Sequence, residues 1–200
     1  MNVDQIRSLD SMLERFMAVS ASDDATHNAD CVRRFIARVA RPWSRATLEG
    51  HLTASAWVLD RSHTHVAMLH HRKLDRWLQP GGHIDDNDSS WRGAARRELE
   101  EETGLTRFLP SADEAALFDV DVHAIPARSD EPAHWHYDLR FLFVADVDAG
   151  TCDSMRLNPE ESHDCRWFAL AALANDPSLA PETQRMVELT LRSIPFPSTP

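Results

Sequence analysis

Over residues 2–40 the apolar positions recur at helical spacing. Ile6, Leu9, Leu13, Phe16 and Met17 form one stripe, and Val32, Phe35, Ile36 and Val39 form a second. The pattern predicts two helices with the polar stretch SASDDATHNAD (20–30) between them. Pro42 closes the second helix, because its ring fixes φ and biases the preceding residue toward extended backbone. From residue 51 the period drops to two. HLTASAWVLD (51–60) and HTHVAMLHH (63–71) read as strands joined by a turn at Asp60 to Ser62. FDVDVHAI (118–125) sets Phe118, Val120 and Val122 against Asp119, Asp121 and His123. HYDLRFLFVADV (136–147) sets Tyr137, Leu139, Phe141 and Phe143 against His136, Asp138 and Arg140. Such alternation predicts half-buried strands of a mixed sheet. CRWFAL (165–170) reads as a last short strand. ETQRMVELTLRSI (182–194) reads as a closing helix with Met186, Val187, Leu189 and Leu191 near its buried side, before a frayed PFPSTP tail.

Inside the strand-rich region only Ser89 to Thr103 is strongly helical. The order strands, helix, strands, helix predicts an α/β (α+β) domain with helices on opposite sides of a mixed sheet. About 40 residues alone make a poor core. Residues 1–45 are therefore expected to be a helical extension packed on a main domain spanning 46–195, and their apolar faces would suit a homodimer.

Composition narrows the partners. A net charge of −11, from 32 acids against 21 Lys and Arg, argues against nucleic-acid binding through phosphate neutralisation. An acidic protein that handles an anionic substrate needs a cation between them. No apolar run approaches the roughly 20 residues of a membrane span, and the first 20 residues are too charged for a signal peptide, so the expected setting is cytoplasmic. Cys31, Cys152 and Cys165 are odd in number and widely spaced, which fits thiols rather than disulfides.

The chemistry concentrates in PGGHIDDNDSSWRGAARRELEEETGL (80–105). Asp88, Ser89 or Ser90 can cap the helix, and Gly104 is placed to end it in the left-handed conformation. Glu98, Glu101 and Glu102 stand at i, i+3 and i+4, one turn apart on one face, beside the apolar stripe Trp91, Ala95 and Leu99, while Glu100 points toward water. A run of glutamates is commonly a solvated helix face. Three convergent carboxylates are also what Mg²⁺ or Mn²⁺ select. The Pro80-Gly81-Gly82 turn can bring bare backbone to the same place, and Arg97 can hold the turn or a carboxylate by a two-pronged contact.

These residues resemble the Nudix box, G-x5-E-x7-R-E-U-x-E-E-x-G-U with U a bulky aliphatic. Gly82, Arg97, Glu98, Leu99, Glu101, Glu102, Gly104 and Leu105 match it in order. The stretch from Gly82 to Arg97 is one residue longer than the pattern, and Asp88 replaces the first glutamate. The resemblance implies a Nudix-like α/β/α sandwich over approximately residues 50–175 and hydrolysis of a diphosphate, nucleotide-derived small molecule with Mg²⁺ or Mn²⁺. By the same resemblance Glu98, Glu101 and Glu102 ligate metal with the Gly82 carbonyl, and Asp88 supports the loop. Glu98, Glu102, Arg97 and Glu161 are then the catalytic candidates, with Glu160 and Glu131 as further loop choices for the base. A Nudix-fold ligand sensor is the alternative, though such domains typically lose box carboxylates. An isoprenoid diphosphate isomerase on the same fold would need a reactive cysteine, for which Cys152 and Cys165 lack a matching setting.

His83, directly after Gly82, is the histidine placed to meet substrate phosphate. Arg72 with Lys73 and Arg76 can contact phosphates, and Trp77, Trp135 and Tyr137 can stack on a base or ring, whereas Trp57, Trp91 and Trp167 read as core. The pairs His63/His65 and His134/His136 invite a zinc reading. HExxH and CxxC are absent, and paired histidines on strands are more often ordinary hydrogen-bonding residues.

Overall fold

The computed structural model describes residues 1–128, 131–149, 155 and 162–193. Its elements are α1 (Val3–Val19), α2 (Asp23–Arg38), β1 (Gly50–Leu59), β2 (His65–His71), β3 (Arg76–Leu78), β4 (Gly81–His83), α3 (Trp91–Thr103), β5 (Asp119–Ile125), β6 (His134–Val144), β7 (Ser162–Ala169), α4 (Leu170–Leu173) and α5 (Pro181–Ser193). The class is mixed α/β. No described helix is long and apolar enough to cross a membrane. The chain forms two compact units, one from Met1–Ser55, Gly81–Glu98 and Asp113–Phe141, the other from Ala56–Pro80, Leu99–Ala112 and Leu142–Pro200.

In the first unit Asn2 caps α1 by accepting from the Gln5 amide at 3.0 Å, and Leu9, Met12, Leu13 and Phe16 are its buried stripe. The second helix starts earlier than the polar stretch suggested. Ser22 caps it by accepting from the Ala25 amide at 3.2 Å, with Asp23 and Asp24 in the first turn. Small Ala25 and Ala29 are its buried contacts there, too weak a hydropathy signal to show among polar neighbours. Arg33 joins the two helices through Asp10 at 2.7 Å and Glu14 at 2.6 Å. Phe35 stacks on Tyr137 of β6 with ring centroids 4.1 Å apart, and Asn28 donates to the Val120 carbonyl of β5 at 3.2 Å.

The strand order here is β1-β6-β5, with β4 antiparallel to β1 in the register Thr53↔His83, Ala54↔Gly82 and Ser55↔Gly81. The Pro80-Gly81-Gly82 segment read as a turn is thus partly strand. Half-burial is also corrected for the inner ends of β5 and β6. In antiparallel register Asp119 faces Arg140, Asp121 faces Asp138 and His123 faces His136. Arg140, 2% exposed, reaches Asp138 at 2.9 Å, Asp119 at 3.0 Å and Asp121 at 3.1 Å. Thr53 and Ser55 donate to Asp138 at 3.0 and 2.9 Å. Alternation marked the two faces correctly, and the polar one is interior because every charge in it is paired.

In the second unit the order is β3-β2-β1, with β7 antiparallel to β2 from His65↔Ala169 to His71↔Ser162. Asp60 shapes the β1–β2 turn, accepting from the Thr64 and His65 amides at 2.9 Å each. His63 sits in that turn at φ 58° rather than on a strand with His65. On α5 the buried residues are Thr183, Met186, Val187 and Thr190, with Leu189 and Leu191 only partly covered. Threonine takes part because Thr190 accepts from the indole of the buried Trp57 at 2.8 Å.

Candidate active site

Helix α3 has both ends fixed by its own sequence. Ser90 is the cap among the three candidates: its hydroxyl accepts from the Gly93 amide at 2.9 Å and its carbonyl from Ala94 at 3.0 Å. Gly104, at φ 69°, donates to the Glu100 carbonyl at 2.9 Å and ends the helix. Trp91, Ala94, Ala95 and Leu99 are buried. With that stripe inside, helical periodicity sets Glu98, Glu101 and Glu102 on a neighbouring face. Glu101 is exposed, Glu98 is partly covered and Glu102 is 7% exposed. Glu100, expected to point to water, is partly covered as well.

Arg97 organises the segment before the carboxylates. Its Nε and Nη2 donate to the two Asp88 oxygens at 3.0 Å each, Nη2 also donates to the His83 carbonyl at 2.9 Å, and Nη1 donates to Glu98 Oε1 at 2.9 Å. The Asp88 hydrogen bonds raise the guanidinium pKa above its already high value, so its charge is permanent. Asp88 accepts from the Asp85 amide at 2.8 Å as well. Asp88 thus works inside the loop, in a place where a longer side chain is not required.

The glycines explain the close approach of β4. A Cβ on Gly82 would lie 2.8 Å from the Glu98 carboxyl carbon, so only a hydrogen separates this backbone from that carboxylate. A Cβ on Gly81, at φ 156°, would lie 2.6 Å from the Ser55 Cα. The one-residue-longer loop therefore still sets Gly82 against Glu98. It is also held from outside: Gln5 donates to the Ser89 carbonyl at 2.9 Å, and Trp91 donates to the Gln5 carbonyl at 3.1 Å. Arg41 and the Trp43 indole both donate to Asp86, at 2.7 and 2.6 Å. Sequence reading missed these residues, and no local pattern would have marked them.

Gly82, Arg97 and Glu98 are thus brought together in the first unit, and α3 carries Glu101 and Glu102 onward. His83 follows Gly82 on β4, so its side chain leaves by the opposite face from Glu98. Trp135 on β6 is 47% exposed, whereas Tyr137 is buried under Phe35 and offers no platform. In the second unit Trp77 on β3 meets Phe168 edge-on at 4.7 Å and has Arg166 over its ring at 5.5 Å, and Arg72 is exposed in the β2–β3 turn. Glu131 is partly covered, its carboxylate 3.8 Å from His134. Glu160, Glu161 and Cys152 lie outside the described residues. Burial first, then the Asp164 and Glu102 charges, pushes the Cys165 thiol up to about 12. That direction disfavours the thiolate that isomerase chemistry would need.

The NUDIX domain family profile matches residues 50–190. Among solved structures, a NUDIX-family hydrolase from Clostridium perfringens is similar at 22% identity and a TM-score of 0.51, over 71% of this chain and 96% of that one. A MutT NUDIX hydrolase from Burkholderia pseudomallei is similar at 23% identity and a TM-score of 0.46, over 70% and 97%. A C. elegans Ap4A hydrolase binary complex is similar at 16% identity and a TM-score of 0.45, over 70% and 95%. No curated protein matches the chain by sequence.

Proposed function

The chain belongs to the NUDIX domain family, and on that premise we propose that it is a hydrolase that cleaves, with a divalent cation, the pyrophosphate bond of a nucleoside diphosphate linked to a second moiety. The observation that carries this reading is the clasp of Arg97 on Asp88, Glu98 and the His83 carbonyl, with side-chain-free Gly82 against Glu98. It supports the box reading in spite of the extra loop residue.

The donor set fits a hard cation. Glu98, Glu101 and Glu102 offer only carboxylate oxygens, and the Gly82 carbonyl would add a neutral one. Mg²⁺ or Mn²⁺ held there supplies positive charge and Lewis acidity at the phosphoryl group. The chain's own residues do the rest. Arg97 fixes the rotamer of Glu98 before substrate arrives, so no reorganisation is required at the moment of reaction. Glu98 or Glu102 accepts the proton of the attacking water, with Glu161 as the loop alternative. Of the expected substrate contacts, Trp135 lies in the first unit with Glu98 and is the proposed contact for the ring; Trp77 and Arg72 lie in the second unit, and His83, which leaves β4 by the face opposite Glu98, is not kept as a phosphate contact. Residues 1–45 act as an extension whose Gln5, Arg41 and Trp43 hold the loop ahead of α3, with the hydrolase domain spanning 46–195.

The test is a panel of diphosphate-containing nucleotides with Mg²⁺ and with Mn²⁺, using Glu101→Gln as control. One or more members should be hydrolysed by the parent only with metal. Hydrolysis of none, or equal hydrolysis by the variant, defeats the proposal. Glu101 is exposed, so the variant should keep the parent's fold.

A further inference from the structure

The face of the sheet in the first unit that carries Arg140 is polar except for Ile125, which stands opposite His134, and histidines gather at its upper end. Alternate residues along a strand share a face, as do cross-strand partners. His51 precedes Thr53 and Ser55 on β1, His83 stands opposite Thr53, and His134 and His136 precede Asp138 and Arg140 on β6. The rings crowd together: His51 lies 5.1 Å from His83, 5.0 Å from His134 and 4.8 Å from His136, centroid to centroid.

Three features point to a ligand. One nitrogen from each of His51, His83 and His136 lies within 4.8 Å of the others. Nitrogens bound tetrahedrally at about 2.0–2.1 Å from zinc are roughly 3.4 Å apart, so rotamer adjustments of about an ångström would close the set. Next, His51 is 1% exposed and neither of its ring nitrogens has a partner among the described residues. Buried polar groups of that kind are rare and call for an occupant. Finally, the hydrogen bonds orient a second shell. His134 Nδ1 lies 2.9 Å from the Pro132 carbonyl, which can only accept, so Nδ1 is the donor there; Nε2, with the Glu131 carboxylate at 3.8 Å, is assigned as the acceptor toward His136. His136 Nε2, 3.2 Å away, then donates to it, which leaves the His136 Nδ1 lone pair uncommitted. A ligating histidine held through its other nitrogen is the usual second-shell arrangement. Further along the same face Asp119, Asp121 and Asp138 surround the guanidinium of Arg140, and His123 lies 3.0 Å from Asp121.

We propose that His51, His83 and His136 bind a transition-metal dication of zinc type, at a site separate from the α3 carboxylates. Imidazole donors favour zinc, cobalt and nickel over magnesium. Gly82 meets Glu98 on one face of β4 and His83 points from the other, so nitrogen and oxygen donors are kept apart. Three protein ligands, two of them partly exposed, leave a coordination position open. The chain then holds two kinds of metal, which goes beyond the hydrolase reading.

The full chain, stripped with chelator and held in excess Mg²⁺ to occupy the carboxylates, is titrated with Co²⁺ and followed by its visible d–d absorbance. One equivalent should give an intense band that one equivalent of Zn²⁺ removes. His51→Ala and His136→Asn should abolish it, and His134→Ala should weaken Co²⁺ binding about ten- to a hundred-fold. Glu101→Gln should keep the band in full, whatever becomes of hydrolysis, so failure of this site and failure of the hydrolase reading are separable. Circular dichroism checks each variant, and if His51→Ala fails to fold, His83→Asn and His136→Asn carry the test. No band in the parent, a band that survives both of those substitutions, or a band lost in Glu101→Gln overturns the proposal.

Discussion

Gly82→Ala is the sharpest perturbation of the proposed active site. The new methyl carbon would lie 2.8 Å from the Glu98 carboxyl carbon and Oε2 and 3.0 Å from Oε1. Ordinary carbon contacts are about 3.5–4.0 Å. The carboxylate must therefore retreat by roughly half an ångström to an ångström. It sits at the end of a flexible side chain, so it can retreat without disturbing the core, but it then leaves the 2.9 Å hydrogen bond from Arg97. A misplacement of about 1 Å at a reacting centre costs on the order of 10²-fold in rate, or about 2.7 kcal/mol of barrier. Steady-state kcat/KM on the best substrate should fall by about that factor, with a near-parental Tm. Gly81→Ala is the control. Its methyl meets backbone, 2.6 Å from the Ser55 Cα, at a φ of 156° that L residues rarely adopt. Strain of about 1–3 kcal/mol in a chain of this size lowers Tm by several degrees, at roughly 2–4 °C per kcal/mol. Activity within threefold of the parent in Gly82→Ala would refute the placement of Glu98 at the reacting centre.

Arg97→Lys keeps the charge but loses the fork that spans Asp88, Glu98 and the His83 carbonyl. Its kcat/KM should fall about ten- to a hundred-fold, with the loss in kcat rather than KM; a purely structural arginine would instead lower Tm and leave kcat alone. Stability of the metal-free chain should decline on acidification. Burial first, then neighbouring positive charge, holds His51 and His83 down to about 4 and His136 down to about 2, below an unfolded value of about 6.5. Their stability contribution is complete above pH 6.5 and is lost as pH falls toward 4, since the unfolded chain takes up protons that the folded rings refuse. Urea midpoints between pH 7.5 and 5 read this directly, and an identical pH slope in His51→Asn would count against it.

Helices and strands with a strong single period were legible in the sequence, and so was the carboxylate ladder of α3, because each depends on residues a few positions apart. The start of α2 was not, since Ala25 and Ala29 give little hydropathy contrast among polar neighbours. The polar faces of β5 and β6 were read from their alternation, but their burial depends on Arg140 pairing with Asp119, and Asp121 standing opposite Asp138, across strands. His51 was passed over for a related reason. HLTAS shows His, Thr and Ser at alternate positions, a polar stripe that gains meaning only beside His134, His136 and Asp138. The loop contacts of Gln5, Arg41 and Trp43 span more than 40 residues in sequence and leave no local trace.

The interior charge on β5 and β6 also bears on how these strands find one another. In a strand with one wet face, a slip of one residue exposes apolar groups and hides polar ones that water can still reach. Here a slip would set Val120 opposite Arg140 and leave carboxylates in a dry interior with no counter-ion, a far larger penalty than exposed leucines. Pairing of Asp119 with Arg140 and Asp121 with Asp138 thus acts as a proofreading step for registry. Arg140→Met, of similar volume, should be judged less by its melting temperature than by whether the refolded chain still reaches a single alignment.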